Sequence, residues 1–196
     1  MVLTPSTMLP LGTPLPAFEL AQVWGANGAV GPGDHGAAWS STSLSAQPVL
    51  VLFLCAHCPF VKHIEPGLSR LEADFSSQVQ IVAISSNSTI THPQDGPEGL
   101  REQAARNGWR FPYLFDASQA VARTFHAACT PDLYLFDAAH QLVYRGQLDG
   151  SRPGNDQPLD GRDLRAAMAA LLSGEPISAD QQPSIGCNIK WHPEGV

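Results

Sequence analysis

Apolar and polar positions fall in blocks along the chain that predict most of its elements. Residues 49–54, Val-Leu-Val-Leu-Phe-Leu behind Pro48, form an unbroken β-favouring apolar run, the pattern of a strand covered on both faces. Then Phe60, Ile64, Leu68, Leu71 and Phe75 recur at spacings of 4, 4, 3 and 4, which is one face of an amphipathic helix. Pro66 falls inside it and predicts a kink near Lys62. A second buried strand over 79–84 follows, then a helix opened by Asp95-Gly96-Pro97-Glu98 and stopped by Gly108, then a short strand over 111–115. Asp116 and Gln119 have the spacing of a capping box for a helix through Phe125. Runs over 133–137 and 142–146 around a tight turn predict an antiparallel hairpin. Leu164, Met168 and Leu171 predict a last helix over about 161–172, ended by Gly174.

From residue 49 the order is therefore β-α-β-α-β-α-β-β-α, an α/β domain. Ahead of it, residues 15–30 place apolar residues around Asn27-Gly28, a two-residue turn signature that predicts an N-terminal hairpin. Residues 31–47, rich in Gly, Ser and Thr, predict a connecting loop with one turn of helix. Residues 175–196 have no period. The chain thus divides into a domain over 1–175 and an extended C-terminal tail over 176–196 that carries Cys187.

Charge narrows the partners. In 196 residues, 11 Lys+Arg against 18 Asp+Glu give a net charge of −7, without a basic cluster for phosphate backbones or anionic membranes. The longest apolar stretch, 49–56, is far shorter than the roughly 20 residues that span a bilayer. Pro5, Pro10, Pro14 and Pro16 break the N-terminal segment, and no Lys or Arg precedes them, so neither a signal peptide nor a membrane anchor is expected. A cytoplasmic protein binding neither nucleic acid nor membrane fits this balance.

Four cysteines in a chain of this size point to thiol chemistry rather than a disulfide scaffold. Two of them form Cys55-Ala56-His57-Cys58 at the junction of the 49–54 strand and the following helix. A thiolate is the attacking species in disulfide exchange, and a helix N-terminus favours it. Cys55 is accordingly expected to be the low-pKa nucleophile, and Cys58 the resolving thiol that attacks the mixed disulfide. His57 adds a possible positive charge that would make the disulfide more oxidising. The competing reading of a C-x-x-C pair is half of a metal site or an inert pair.

The arrangement resembles the thioredoxin superfamily over about residues 10–175: a strand ending in C-x-x-C at a helix start, then Thr130-Pro131 before a later strand, a hairpin and a helix. Gly12-Thr13-Pro14-Leu15-Pro16-Ala17-Phe18-Glu19-Leu20 is similar to the opening of the redoxin branch, which includes thiol-specific-antioxidant peroxiredoxins and bacterial thiol-disulfide oxidoreductases. Cys55-Ala56-His57-Cys58-Pro59-Phe60-Val61-Lys62-His63, Cys129-Thr130-Pro131-Asp132, the 144–149 segment with Arg145 and Asp149, and the 184–191 segment resemble a bacterial set of redoxin-domain proteins. The resemblance implies a thioredoxin fold, with a central mixed sheet, helices on both faces, an N-terminal hairpin extension and an extended C-terminal tail. It also implies a cis Thr130–Pro131 bond shaping a substrate groove, and a C-x-His-C pair like that of strongly oxidising disulfide-forming enzymes. The chain departs from thioredoxin at Leu54 and Val49, where that family carries Trp and a buried acid. It departs from peroxiredoxins at Leu52, where a peroxide-binding threonine would stand, although Pro48 fits their pattern.

These features predict a thiol-disulfide oxidoreductase with Cys55, Cys58, His57, Thr130 and Pro131 at its site, acting on protein or small-molecule disulfides with a thiol reductant and without an organic cofactor. The alternatives are a thiol peroxidase with Cys55 peroxidatic, and a metal-binding or redox-sensing module in which Cys55, Cys58 and Cys129 hold zinc or copper, with Cys187 or His192 as a fourth ligand. Cys129 also reads as a small buried hydrophobe, and Cys187 as a resolving thiol or a latch onto the body that reaches the Cys129 or Cys55 region. His35, His92, His126 and His140 read as loop or surface residues, and His63 as pointing to another helix face than His57.

Overall fold

The computed structural model describes residues 3–30 and 37–195. His35 lies outside them. The chain runs through β1 (Leu3–Pro5), β2 (Glu19–Gly25), β3 (Gly28–Ala29), β4 (Ala37–Ser40) and β5 (Val49–Phe53), then α1 (Pro59–Phe75) and β6 (Gln80–Ser85). It continues through α2 (Pro97–Asn107), β7 (Tyr113–Phe115), α3 (Ala120–Thr124), β8 (Cys129–Thr130) and β9 (Asp132–Phe136). Last come β10 (Leu142–Gly146), α4 (Arg162–Ser173) and β11 (Ile185–Asn188).

The main sheet is mixed, in the order β10-β9-β5-β6-β7-β2-β3, with β4 also paired to β2. Strands β5, β6 and β7 are parallel, and β9, β10 and β2 join them antiparallel. Successive strand residues point to opposite faces, so β5 feeds two cores. Leu50 and Leu52 pack with Val61, Leu68, Leu100, Leu164 and Met168 of α1, α2 and α4. Val49, Val51 and Phe53 face α3 and an aromatic cluster in which Phe125 meets Phe53, Tyr134 and Phe136 edge to face. Among the described residues no helix is long and apolar enough to cross a membrane.

Several local expectations are corrected. Residues 37–40, read as loop, form β4, because their backbone pairs with β2 although the Ala-rich sequence has no strand period. The turn between β2 and β3 is Ala26-Asn27, one residue earlier than expected, since Gly25 pairs with Gly28. Gln119 caps no box: its backbone is left-handed, and its side-chain amide donates to the carbonyls of Ser86 and Lys190 instead. Asp116 supplies the local cap, accepting from the Ala122 amide.

The tail folds. Strand β11 lies between β1 and β8, antiparallel to both, placing Cys187 opposite Leu3 and Thr130. Beyond it, the Ser88 amide and the Gln119 side chain donate to the Lys190 carbonyl, the His192 amide donates to Gln119 Oε1, and the Arg123 guanidinium lies 4.4 Å over the Trp191 ring. The entry to β11 is held by Arg145 and Gln181, whose side chains meet at 2.7 Å. Two glycines permit the approach. A Cβ on Gly186 would stand 2.0 Å from the Thr130 carbonyl oxygen, and one on Gly146, at φ +140, 2.1 Å from that of Gln182. The partner in each case is backbone, which cannot swing away.

Gly186→Ala is therefore expected to cost about 1–3 kcal/mol, the range for forcing an extra carbon into packed structure. Gly150→Ala, where a Cβ meets nothing within 4 Å, is expected to stay within about 0.5 kcal/mol of the parent. Urea unfolding of the two variants side by side measures the difference.

Candidate active site

Where β5 ends, the chain turns through residues 54–58 before α1 begins at Pro59, a first-turn proline whose missing N–H costs the helix nothing. Cys58, not Cys55, is the N-cap residue, and its carbonyl accepts from Lys62. The helix runs unbroken through Pro66. Opposite the turn, Thr130–Pro131 is cis, as the sequence resemblance implied. Cys55 Sγ lies 3.3 Å from the Thr130 hydroxyl, and Cys58 Sγ 3.3 Å from the Thr130 carbonyl oxygen. The structure thus brings Cys55, His57, Cys58, Thr130 and Pro131 together.

One carboxylate holds the turn. Asp95 Oδ1 accepts from the amides of Ala56 and His57 at 2.9 and 3.0 Å, while Oδ2 meets His57 Nδ1 at 2.5 Å and Asn87 Nδ2 at 2.8 Å. Burial of Asp95 opposes its charge, but the bonds from His57 and Asn87 outweigh it and hold the carboxyl below its usual value. Asn87 in turn accepts from the Lys190 amide at 2.8 Å, so the tail, Asn87, Asp95 and the cysteine turn form one chain of hydrogen bonds. Below the turn, Gln103 donates to the Cys55 carbonyl and to Glu65. Asp95, Asn87 and Gln103 carry no motif that marks them as site residues: in the sequence Asp95 reads as a helix opener, and only the fold brings its side chain to residue 57.

All four cysteines are free and buried. Cys187 arrives from the tail with its Sγ 2.9 Å from that of Cys58. The thiolate preference is the reverse of the one expected. Hydrogen bonding from the Cys55 thiol, followed by the Cys187 thiol and the Val61 and Cys187 amides, outweighs burial and pulls Cys58 down to about 5. Burial, then the bond to Cys58, pushes Cys55 well up. The two sulfurs behave as one coupled pair sharing a proton, with the charge resting on Cys58 at the helix cap. Burial and the Cys58 charge push Cys187 up to about 12.

His57 approaches Cys55 Sγ to 3.9 Å through Nδ1, the same nitrogen that meets Asp95. Bonded to Asp95, that nitrogen is not free to relay a proton to the sulfur. His92, read as a loop or surface residue, stacks on His57 with ring centroids 4.8 Å apart. His63 meets Ser151, and His192 is held by Ser88 and the Ala117 carbonyl. Among the described residues, Cys55, His57 and Asp95 form a group of three whose potential ligand atoms lie within 4.8 Å of one another. Cys129, placed by the sequence in a possible metal set, instead points its thiol at the Pro131 carbonyl, 3.6 Å away, and burial raises its pKa. A cleft of about 600 Å³ opens beside Ala56 and His57, bordered by Lys62, Glu65, Gln103 and Arg106. A second cavity, of about 810 Å³ and lined by Trp39, Ser69, Glu72 and Arg110, has none of these thiols in its wall.

Asp132, directly after the cis-proline, is fully buried. Tyr134 donates to Oδ2 at 2.8 Å, while Oδ1 has no hydrogen-bond partner among the described residues. Burial raises this carboxyl to about 7.

The AhpC/TSA family model matches residues 11–145. The chain is similar in structure to an uncharacterized conserved protein from Geobacillus kaustophilus, with 43% identity and a TM-score of 0.90 over 100% of this chain and 99% of that one. A hypothetical protein from Sinorhizobium meliloti 1021 is 39% identical, with a TM-score of 0.87 over 96% and 98% of the two chains. A secreted Mycobacterium tuberculosis disulfide oxidoreductase, 19% identical with a TM-score of 0.57 over 79% and 96%, shares the thioredoxin-like fold. No curated protein matches the sequence.

Thiolate absorbance of the reduced protein is expected to rise in a step near pH 5 that Cys58→Ser removes; a first step near the ~8.5 of a free thiol would place no thiolate at the helix cap. For Asp132, whose folded pKa lies above the unfolded ~3.9, the folded state keeps a proton that the unfolded chain releases between about pH 4 and 7. Its contribution is present below that window and is lost as pH rises through it, on the order of 4 kcal/mol in total. Asp132→Asn is expected to flatten this slope, measured as urea stability at about pH 4.5 and about pH 7.5, which span most of the window.

Proposed function

The chain belongs to the AhpC/TSA family, and on that premise we propose that it is a thiol-disulfide oxidoreductase whose Cys55/Cys58 dithiol reduces disulfides of proteins or small thiols. The observation that carries this reading is the convergence of both sulfurs on Thr130, beside cis-Pro131, at the end of the central strand. That convergence sets a paired dithiol against the backbone that leads into cis-Pro131, on whose strand β11 is itself paired.

The coupled pair carries one negative charge at neutral pH. As the proton of Cys55 passes to Cys58, Cys55 attacks the substrate disulfide, forming a mixed disulfide and expelling one substrate thiolate. Cys58 then gives up its proton and attacks Cys55 Sγ, closing the Cys55–Cys58 disulfide and releasing the second thiolate. Two electrons leave the dithiol; its single proton goes to one product thiolate, and solvent supplies the proton of the other. His57, anchored on Asp95 and facing Cys55, stabilises the charge that develops on that sulfur. A thiol reductant regenerates the pair, which suits a reducing compartment such as the cytoplasm.

Peroxide reduction is the second reading, favoured by the Thr130 hydroxyl 3.3 Å from Cys55. It supplies the hydroxyl that Leu52, buried in the core, does not. There Cys55 would take one peroxide oxygen as a sulfenic acid, and Cys58 would close the disulfide with loss of water.

Cys55→Ser and Cys58→Ser are each expected to lower the rate of glutathione- or insulin-disulfide reduction by at least about 10²-fold, as loss of a member of a covalent catalytic unit does. Stopped-flow consumption of hydrogen peroxide by the reduced protein separates the readings. Oxidation by peroxide that outruns exchange with a protein disulfide would transfer the assignment to the peroxidase.

A further inference from the structure

Cys187 has no role in the dithiol cycle, yet the fold brings it to Cys58. Its strand is paired on both sides, and Gly186 lets its backbone press against Thr130. The following residues are tied to Asn87, Ser88 and Gln119. The result is that Cys58 Sγ stands 2.9 Å from Cys187 Sγ, while Cys55 and Cys58 both bond to Thr130. A disulfide needs about 2.05 Å between sulfurs, so a movement of under 1 Å would close it.

We propose that Cys187 is a third redox cysteine that takes the disulfide over from Cys55. The inference rests on the Cys55/Cys58 dithiol reading and extends it. Once the dithiol has closed as Cys55–Cys58, the Cys187 thiolate attacks Cys58 Sγ. The Cys58–Cys187 bond forms, the Cys55–Cys58 bond breaks, and Cys55 leaves as a thiolate that takes up the proton Cys187 gave. One disulfide is exchanged for another, so no outside oxidant or reductant enters the step. Burial is the main cause that keeps Cys187 protonated; when Cys58 is oxidised its bond and charge no longer add to it, while Lys190 nearby still favours the thiolate. The oxidised protein then holds its disulfide between α1 and β11, with Cys55 free beside Thr130.

The test uses the full chain, reduced and then oxidised with one equivalent of diamide, trapped by acid, alkylated and mapped by peptide mass spectrometry. The expected result is a Cys58–Cys187 cross-link in the wild type, with Cys187 lost from the alkylated pool and Cys55 recovered in it. Cys187→Ser, with Cys187→Ala as a second variant should serine disturb the strand, is expected to trap Cys55–Cys58. Cys55→Ser is expected to form Cys58–Cys187 directly. Cys187 fully alkylated in oxidised wild type and in Cys55→Ser, with Cys55–Cys58 formed normally, would overturn the third-cysteine assignment and leave the dithiol reading standing. Absence of Cys55–Cys58 from both Cys187 variants, folded by circular dichroism, would instead overturn the dithiol reading on which it rests.

Discussion

A buried carboxylate is expensive unless its lone pairs are filled, and Asp95 fills them with the parts of the molecule that must be held in register. Two backbone amides of the cysteine turn, the His57 ring and the Asn87 amide converge on its two oxygens. The cysteine turn therefore takes its shape from a residue about forty positions downstream rather than from its own four residues. Because Asn87 is bonded in turn to the Lys190 amide, the tail is fixed by the same charge. Asp95 is fully buried with both oxygens bonded, and such satisfied buried networks set a single conformation.

The frame was legible in the sequence because it rests on long periodic signals. The run over 49–54 became β5, the 4-4-3-4 spacing became α1, and the hairpin over 133–146 became β9 and β10. The pairing of Cys55 with Cys58 and the cis bond at Pro131 followed from a motif in context. What stayed hidden was non-local. Strand β11 carries no period of its own and gains its conformation from hydrogen bonds to β1 and β8. Asp95 and Gln119 carry side chains that suit local caps, and both are spent instead on distant backbone and side-chain groups. The thiolate preference differs for a related reason: the helix begins at Pro59, four residues after the first cysteine, and a sulfur from the far end of the chain adds a donor to the second.

The two faces of the sheet divide the labour. Residues facing α1, α2 and α4 run continuously into Leu54, Cys55, Cys58 and Cys187, so the thiols are an extension of that core rather than a surface feature. The opposite face is built on interlocking aromatic rings around Phe125 and contributes stiffness to β5 and β9, the strands that carry the two halves of the site. Rigidity on one side and reactive sulfur on the other is a workable arrangement for chemistry that depends on distances of a few tenths of an ångström.

The docking of the C-terminal strand has a practical corollary. Chain ends are ordinarily the places where a protein tolerates fusions, labels and trimming. Here residues 185–192 are interior structure, and the paired partner of β11 on one side is β1, so the segment near the N-terminus is enlisted as well. The exposed stretch over 153–158, between β10 and α4, bears no such duty. A reporter or affinity handle spliced there would leave the sulfur chemistry undisturbed, whereas one grafted close behind Trp191 would load the hydrogen-bonded line that ends at the cysteine turn.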